Sequence, residues 1–285
     1  MSYFVLFNPI AGNGKGKEEA RQVEKFFQNA ELIYKDVTEI SNYSEFIGSL
    51  KNEDAIVLCG GDGTINRFAN ELGGKVPIND VYYYACGTGN DFWTDLGKNK
   101  GDAPEKINKY LENLPTVTVN GKDYFFINGV GFGIDGYCCE MGDAIKKTSD
   151  KPVNYTSIAV KGLLFKFKPR NAKIIVDGKE YDYKKVWVAP VMHGRCYGGG
   201  MIAAPDQVRN NGEGTLSVVK FGGAGRLSTL LVFPKIFKGE HVKSKQVEIL
   251  KGKEITVKFD LPTSLQIDGE TILGVTEYTA RSFSK

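Results

Sequence analysis

Three short apolar runs in the first third of this 285-residue chain each stop at a glycine-bearing turn, and that repetition limits the fold more than any other feature. Tyr3–Asn8 leads into Asn8-Pro9-Ile10-Ala11-Gly12-Asn13-Gly14-Lys15-Gly16. Asp54–Cys59 leads into Gly60-Gly61-Asp62-Gly63-Thr64, and Val81–Cys86 into Gly87-Thr88-Gly89-Asn90-Asp91-Phe92. Uninterrupted apolar runs of this length suit parallel strands buried on both faces. Leu32–Val37 reads as a further strand. Between the runs, residues 16–29 place Ala20, Val23, Phe26 and Phe27 at helical spacing, residues 41–51 carry a weaker pattern, and Ile65–Leu72 gives a third helix. This alternation predicts an α/β domain with a doubly wound parallel sheet.

In such sheets ligands bind outside the carboxyl ends of the strands. Glycines there let backbone N–H groups approach phosphate oxygens, and a following helix N-terminus adds a favourable dipole. One such turn says little, because glycine ends many strands for steric reasons. Three on one sheet edge, with Lys15, Thr64 and Thr88 as polar contacts, point to a phosphate-bearing ligand. None of them is a Walker A loop. Gly131-Phe132-Gly133-Ile134-Asp135-Gly136 spells the dinucleotide motif, but it lies where the chain has turned antiparallel and no βαβ unit ending in an acid follows.

The pattern changes near residue 115. Pro115–Val119 and Tyr124–Asn128 flank Asn120-Gly121, a hairpin turn, and Asp177-Gly178 is a second. Alternating segments continue to Ile267, interrupted by helical stretches at 153–167 and 225–237. The expected organisation is a nucleotide domain over 1–120, to which a terminal strand at 275–285 can return, and a mainly antiparallel, β-sandwich-like domain over 121–274.

A hydrophobic content of 41%, a charged content of 25% and a net charge of +3 exclude a disordered chain and give no nucleic-acid signature. Five cysteines without a Cys-x-x-Cys pair, and only two histidines, argue against zinc and for reduced thiols in the cytoplasm. The apolar stretch Leu227–Phe237 is broken by Pro234 and Lys235, far short of the roughly 20 residues of a membrane span. A membrane would therefore be met transiently and from the side.

Taken together, Asn-Pro-x-Ala-Gly, Gly-Gly-Asp-Gly-Thr and Gly-Thr-Gly-Asn-Asp-Phe resemble the diacylglycerol kinase catalytic-domain family, which includes bacterial lipid kinases and sphingosine and ceramide kinases. The likeness continues through Asn128–Gly136, Gly198-Gly199-Gly200-Met201 with Ala204-Pro205, and Ile267-Asp268-Gly269-Glu270, in order along nearly the whole chain. It implies an NAD kinase/phosphofructokinase-like first domain that binds ATP through Asn8, Gly12, Lys15, Thr38, Gly60, Gly61, Asp62, Gly63, Thr64, Thr88, Gly89 and Asn90. It also implies Mg²⁺ placed with Asp62, and a lipid hydroxyl deprotonated by Asp268 with support from Glu270. The lipid partner would be diacylglycerol at the membrane surface; a sphingoid base, ceramide, phosphatidylglycerol or monoacylglycerol stays open, and a homodimer is compatible with the sequence.

The chain departs from the family pattern in two places. Asn66-Arg67 stands where relatives have Asn-Glu, with Glu71 one turn later. Gly212-Glu213-Gly214 stands where relatives have Asp-Asp-Gly, and Ser217 where an aspartate is common, so Glu213 is the remaining candidate ligand of a second, structural Mg²⁺. Rival readings are an NAD kinase-like phosphotransferase and a non-catalytic nucleotide-binding regulator. Outside these motifs, Lys146, Lys147, Lys151, Lys161, Lys166, Lys168 and Arg170 surround the apolar helix at 153–167, which reads either as a membrane-docking element or as a core helix with a solvated face. His193 reads as a surface or interdomain packing residue before a phosphate contact, and Arg195 is a lesser candidate for pairing with a lipid-side anion.

Overall fold

The computed structural model describes residues 1–9, 11–87, 89–148 and 153–283. They divide into two compact units, Met1–Leu114 and Pro115–Lys285. In the first, β1 (Ser2–Phe7), β2 (Glu31–Asp36), β3 (Ala55–Gly60), β4 (Asp80–Ala85) and β5 (Glu105–Lys106) form a sheet in the order β2-β1-β3-β4-β5. Strands β1 to β4 are parallel, and short β5 lies antiparallel at the edge. Every residue of β3 is buried, as its AIVLCG run requires of a central strand covered on both faces. On one face Val5, Phe7, Val57, Cys59 and Tyr84 pack with Ala20 and Val23. The helix expected over 16–29 is shorter, Gly16–Arg21 running into a 3₁₀ turn at Gln22–Phe26. The chain leaves β1 toward β2 on one side and enters β3 on the other. The carboxyl ends of β1 and β3 are therefore the topological switch point, where open α/β sheets bind their ligands.

The second unit is antiparallel. Its strands are β6 (Thr116–Val119), β7 (Lys122–Phe125), β8 (Gly129–Phe132), β9 (Arg170–Val176), β10 (Lys179–Val188), β11 (Val191–Met192), the ribbon of β12 (Cys196–Tyr197) and β13 (Met201–Ile202), β14 (Leu216–Gly222), β15 (Val247–Gly252), β16 (Glu254–Ile267) and β17 (Glu270–Arg281). Among the described residues, all but the ribbon join one ten-stranded sheet. Long β16 pairs with β9 over Ile255–Phe259 and with β8 over Leu265–Ile267, shifting register around Pro262. That change of partner curls the sheet around a core in which Phe132 stacks on Phe259 at 4.1 Å between ring centroids.

Three Asx-Gly pairs make the hairpin turns: Asn120-Gly121, Asp177-Gly178 and Asp268-Gly269 all hold positive φ at both positions, the geometry that matches strand twist. Thr116–Val119, assigned to the nucleotide domain from its sequence, is instead a strand of this second sheet. The terminal strand pairs with it there and does not join the first sheet. The cause is a shared core, since Val117, Val119, Tyr278 and Ala280 bury their side chains in one cluster.

The helix Ile134–Lys146, which begins within the Gly131–Gly136 motif, has no counterpart in the pattern of the sequence. Gly136 is what seats it: a Cβ there would stand 1.9 Å from the carbonyl oxygen of Ser264, so only glycine lets the helix lie against β16. The stretch expected at 153–167 is a helix, Tyr155–Lys161, followed by a wider π turn at Gly162–Lys166. That at 225–237 is a helix, Arg226–Val232, followed by a 3₁₀ turn at Phe233–Lys238. Among the described residues no helix is long and apolar enough to cross a membrane.

Candidate functional site

Two of the three glycine turns are tied together by one side chain. Asp62, the first residue of the helix Asp62–Glu71, accepts the backbone N–H of Asp91 through Oδ2 at 2.8 Å and that of Phe92 through Oδ1 at 3.0 Å. The carbonyl of Gly60 accepts from the N–H of Cys86 and of Gly87, and from the Tyr83 hydroxyl at 2.9 Å. Asn90 closes its own turn by donating to Gly87 O at 2.8 Å. The backbones of the two turns touch: a Cβ on Gly87 would come within 2.8 Å of the Gly61 Cα. Burial, and after it the charge of Asp62, raises the Tyr83 phenol well above its ordinary range, so it serves as a fixed donor.

Gly61, Gly63, Thr64, Gly89 and Asn90 remain partly exposed around this lock. The turn after β1 starts at Asn8, whose carbonyl accepts the Ala11 N–H at 3.0 Å, and it carries Gly12 and the exposed Lys15 just before the next helix. Thr38 follows β2, but its hydroxyl and N–H are both engaged by Asp36 Oδ1, at 2.7 and 2.8 Å, in a local Asx turn. Thr88 lies outside the described residues. Arg67 points outward in a loose surface pair with Glu71 at 3.7 Å, so its reversed charge lies on an exposed helix face.

In the second unit Asp268 forms a clamp. From the left-handed first position of its hairpin, its carboxylate accepts the N–H groups of Ile127 (2.5 Å), Asn128 (2.8 Å) and Gly129 (3.0 Å). Arg209 holds the same segment, donating to the Ile127 carbonyl and to Asn128 Oδ1, the latter at 2.9 Å. The buried His193 ring also meets Ile127 O, at 3.0 Å, which makes it a packing residue of this cluster. Glu270, two residues beyond Asp268, is exposed at the start of β17. Arg209 belongs to no motif and was not legible beforehand; only the fold brings it to residues 127 and 128.

The chemistry of these groups sorts the expected ligands. Bare glycine peptides at the switch point, the helix N-terminus at Gly61 and a lysine fit the phosphates of a nucleotide. Among the described residues no group of three His, Cys, Asp or Glu side chains could hold a resident ion, and Asp62, each of whose oxygens receives one N–H, has a carboxylate to offer only an ion carried in on phosphates. Glu213 stands in an exposed turn. At Ser217, where the family resemblance leads to the expectation of an aspartate, the hydroxyl donates to Gln207 Oε1 at 2.6 Å and the Gln207 amide donates to Thr215 O, a neutral network. The structural Mg²⁺ expected at Glu213 therefore lacks its ligands, because neutral side chains fill the positions that would supply them.

Comparison with known proteins also finds two parts, the first match running through β6 to residue 119. Residues 2–119 match the diacylglycerol kinase catalytic domain, and residues 128–281 match the YegS C-terminal NAD kinase beta sandwich-like domain. The chain is 26% identical over 281 residues to a diacylglycerol kinase of Bacillus subtilis, covering 93% of this chain and 88% of that one. It is 24% identical to a diacylglycerol kinase of Mycobacterium tuberculosis, covering 89% and 84%. A crystal structure of a diacylglycerol kinase from Bacillus anthracis superimposes with a TM-score of 0.61 over 99% of this chain and 94% of that one, at 19% identity, which shows the shared fold.

Proposed function

We propose that this chain, which belongs to the diacylglycerol kinase family by the matches of both its units, transfers the γ-phosphoryl group of ATP to the hydroxyl of diacylglycerol, giving phosphatidic acid. Family membership makes it a phosphotransferase; ATP as donor and a lipid as acceptor are our reading. The observation that carries it is the Asp62 lock, which fixes two glycine turns beside the sheet's switch point and leaves their peptide groups open to phosphate.

Bound ATP would supply the phosphoryl group, and Mg²⁺ arriving on its phosphates would offset their charge. The protein's own work is positional, as phosphoryl transfer requires. Gly61, Gly63 and Gly89 offer backbone donors, Lys15 adds a cation, and Asn8, Thr64 and Asn90 orient the donor; Asp62 acts by holding the turns. For the proton of the attacking hydroxyl we assign Glu270 in preference to Asp268. The Asp268 carboxylate is already committed to three backbone N–H donors that hold the 127–129 segment, whereas Glu270 is exposed at the start of β17.

The test is transfer of labelled γ-phosphate from ATP and Mg²⁺ to detergent-dispersed diacylglycerol, ceramide, sphingosine, monoacylglycerol and phosphatidylglycerol, with NAD in a parallel tube. Labelled phosphatidic acid is the expected product. A labelled NAD product, or ATP binding with no transfer to any acceptor, would overturn the reading.

A further inference from the structure

In the second unit two helical elements far apart in sequence pack together and leave their outer sides bare. Leu163 and Phe167, from the segment following Tyr155–Lys161, are buried with Trp187, and Leu230, Val232 and Phe233 pack against the same cluster. The Arg226 side chain fastens the pair, donating to the Leu163 carbonyl and lying 5.5 Å over the Trp187 ring. Three other apolar side chains of the pair have no such cover. Phe165 is 74% exposed, Leu227 75% and Leu231 76%. Leu227 and Leu231 are four residues apart, on one side of their helix.

Charge says what covers them. Residues 153–170 and 223–239 hold seven basic residues and not one aspartate or glutamate. Lys161, Lys166, Lys168, Lys235 and Lys238 are all exposed. Apolar tips set among lysines, on two segments that carry no acid themselves although Glu140 shares a hollow with Lys166 and Lys168 and exposed Glu240 follows the second segment, are the pattern of a helix pair that lies in the headgroup layer of an anionic membrane.

We infer that the paired segments Tyr155–Lys168 and Arg226–Lys238 form one docking face for an anionic lipid bilayer, Phe165, Leu227 and Leu231 entering the acyl boundary while the lysines meet lipid phosphates. The inference rests on the lipid-acceptor reading, since a kinase of diacylglycerol must reach a substrate that stays in the bilayer. It extends the basic helix seen in the sequence to a second element, 226–238, that carries two of the three exposed apolar anchors. The lysines give attraction at a distance and the apolar groups give retention, so the two contributions separate experimentally.

The experiment is co-sedimentation of the full chain with vesicles of phosphatidylcholine containing phosphatidylglycerol, and of phosphatidylcholine alone. Binding to the anionic vesicles is expected to be the stronger and to weaken as salt is raised. Leu227→Gln with Leu231→Gln should lower partitioning by about tenfold or more. Their exposure makes loss of folding a poor explanation, and an unchanged circular dichroism spectrum checks it. Lys166→Gln with Lys168→Gln should weaken binding to the anionic vesicles alone. Wild-type failure to bind, equal binding by the leucine variant, or a leucine variant that changes only self-association in sedimentation velocity would each overturn the proposal. Phosphorylation of a short-chain, water-dispersed diacylglycerol is read in parallel and should be unaltered in the leucine variant. Vesicle binding without that turnover would defeat the kinase reading and leave the docking face standing.

Discussion

The carboxylate of Asp62 accepts the backbone N–H of Asp91 at 2.8 Å, so the turn that ends β3 carries the turn that ends β4. Both residues are buried, at 8% and 5% exposure. The aspartate that the motif suggests as a phosphate or metal contact is thus also the brace of the site.

Replacing Asp62 by alanine strands two N–H groups in the interior, at a cost of about 1–3 kcal/mol each. Urea unfolding of Asp62→Ala should show that loss together with failure to bind nucleotide. A variant with full stability but no nucleotide affinity would make Asp62 a direct ligand and not a brace.

Gly87→Ala would drive a methyl group to 2.8 Å from Gly61 Cα and push the two turns apart. The Kd for ATP, measured by calorimetry, should rise by about tenfold, a loss of ~1.4 kcal/mol. Ile78→Ala, at a side chain 78% exposed, should leave it unaltered.

Glu270→Gln should lower kcat by roughly 10²–10⁴-fold with stability intact, as removal of a general base from an exposed position implies. Asp268→Asn should instead show a lowered unfolding midpoint, because the new NH₂ group faces backbone donors at residues 127–129. If Asp268→Asn keeps its stability and loses kcat while Glu270→Gln remains active, the two roles are reversed.

Burial pushes the Asp135 carboxyl up from an ordinary 3.8 to about 6, against the opposing pull of the Gly136 N–H and the Tyr197 hydroxyl. The folded chain holds this proton more tightly than the unfolded one. Its stabilising contribution is therefore complete below about pH 4 and is lost as pH rises through 6, on the order of 3 kcal/mol. Asp135→Asn, whose amide can donate to the Tyr197 oxygen, should gain stability over wild type between pH 4 and 7. A stability difference that does not change with pH would refute the assignment.

Legibility followed the range of the interactions concerned. Strands β1, β3 and β4 and the hairpins at Asn120-Gly121 and Asp177-Gly178 could be read because an apolar run bounded by glycine, or two positive φ angles at one turn, are local requirements. The helix Ile134–Lys146 could not, since Gly136 lowers helix propensity and its purpose, contact with Ser264, lies far along the chain. Thr38 shows the converse. It follows β2 where a nucleotide-contacting threonine was expected, yet its hydroxyl is bound by Asp36, a competition that motif spacing does not record.

The sequence by itself determined the two-domain α/β and antiparallel architecture, the edge of the first sheet that bears the glycine turns, and the family, because these depend on periodicity and on residues adjacent in the chain. The tertiary structure decided which carboxylates are engaged. Asp62 and Asp268 each meet backbone donors from residues at least 29 positions away, and Arg209 reaches a segment 81 and 82 positions before it. A carboxylate's role depends on the donors around it, and those donors are brought together only when the chain folds.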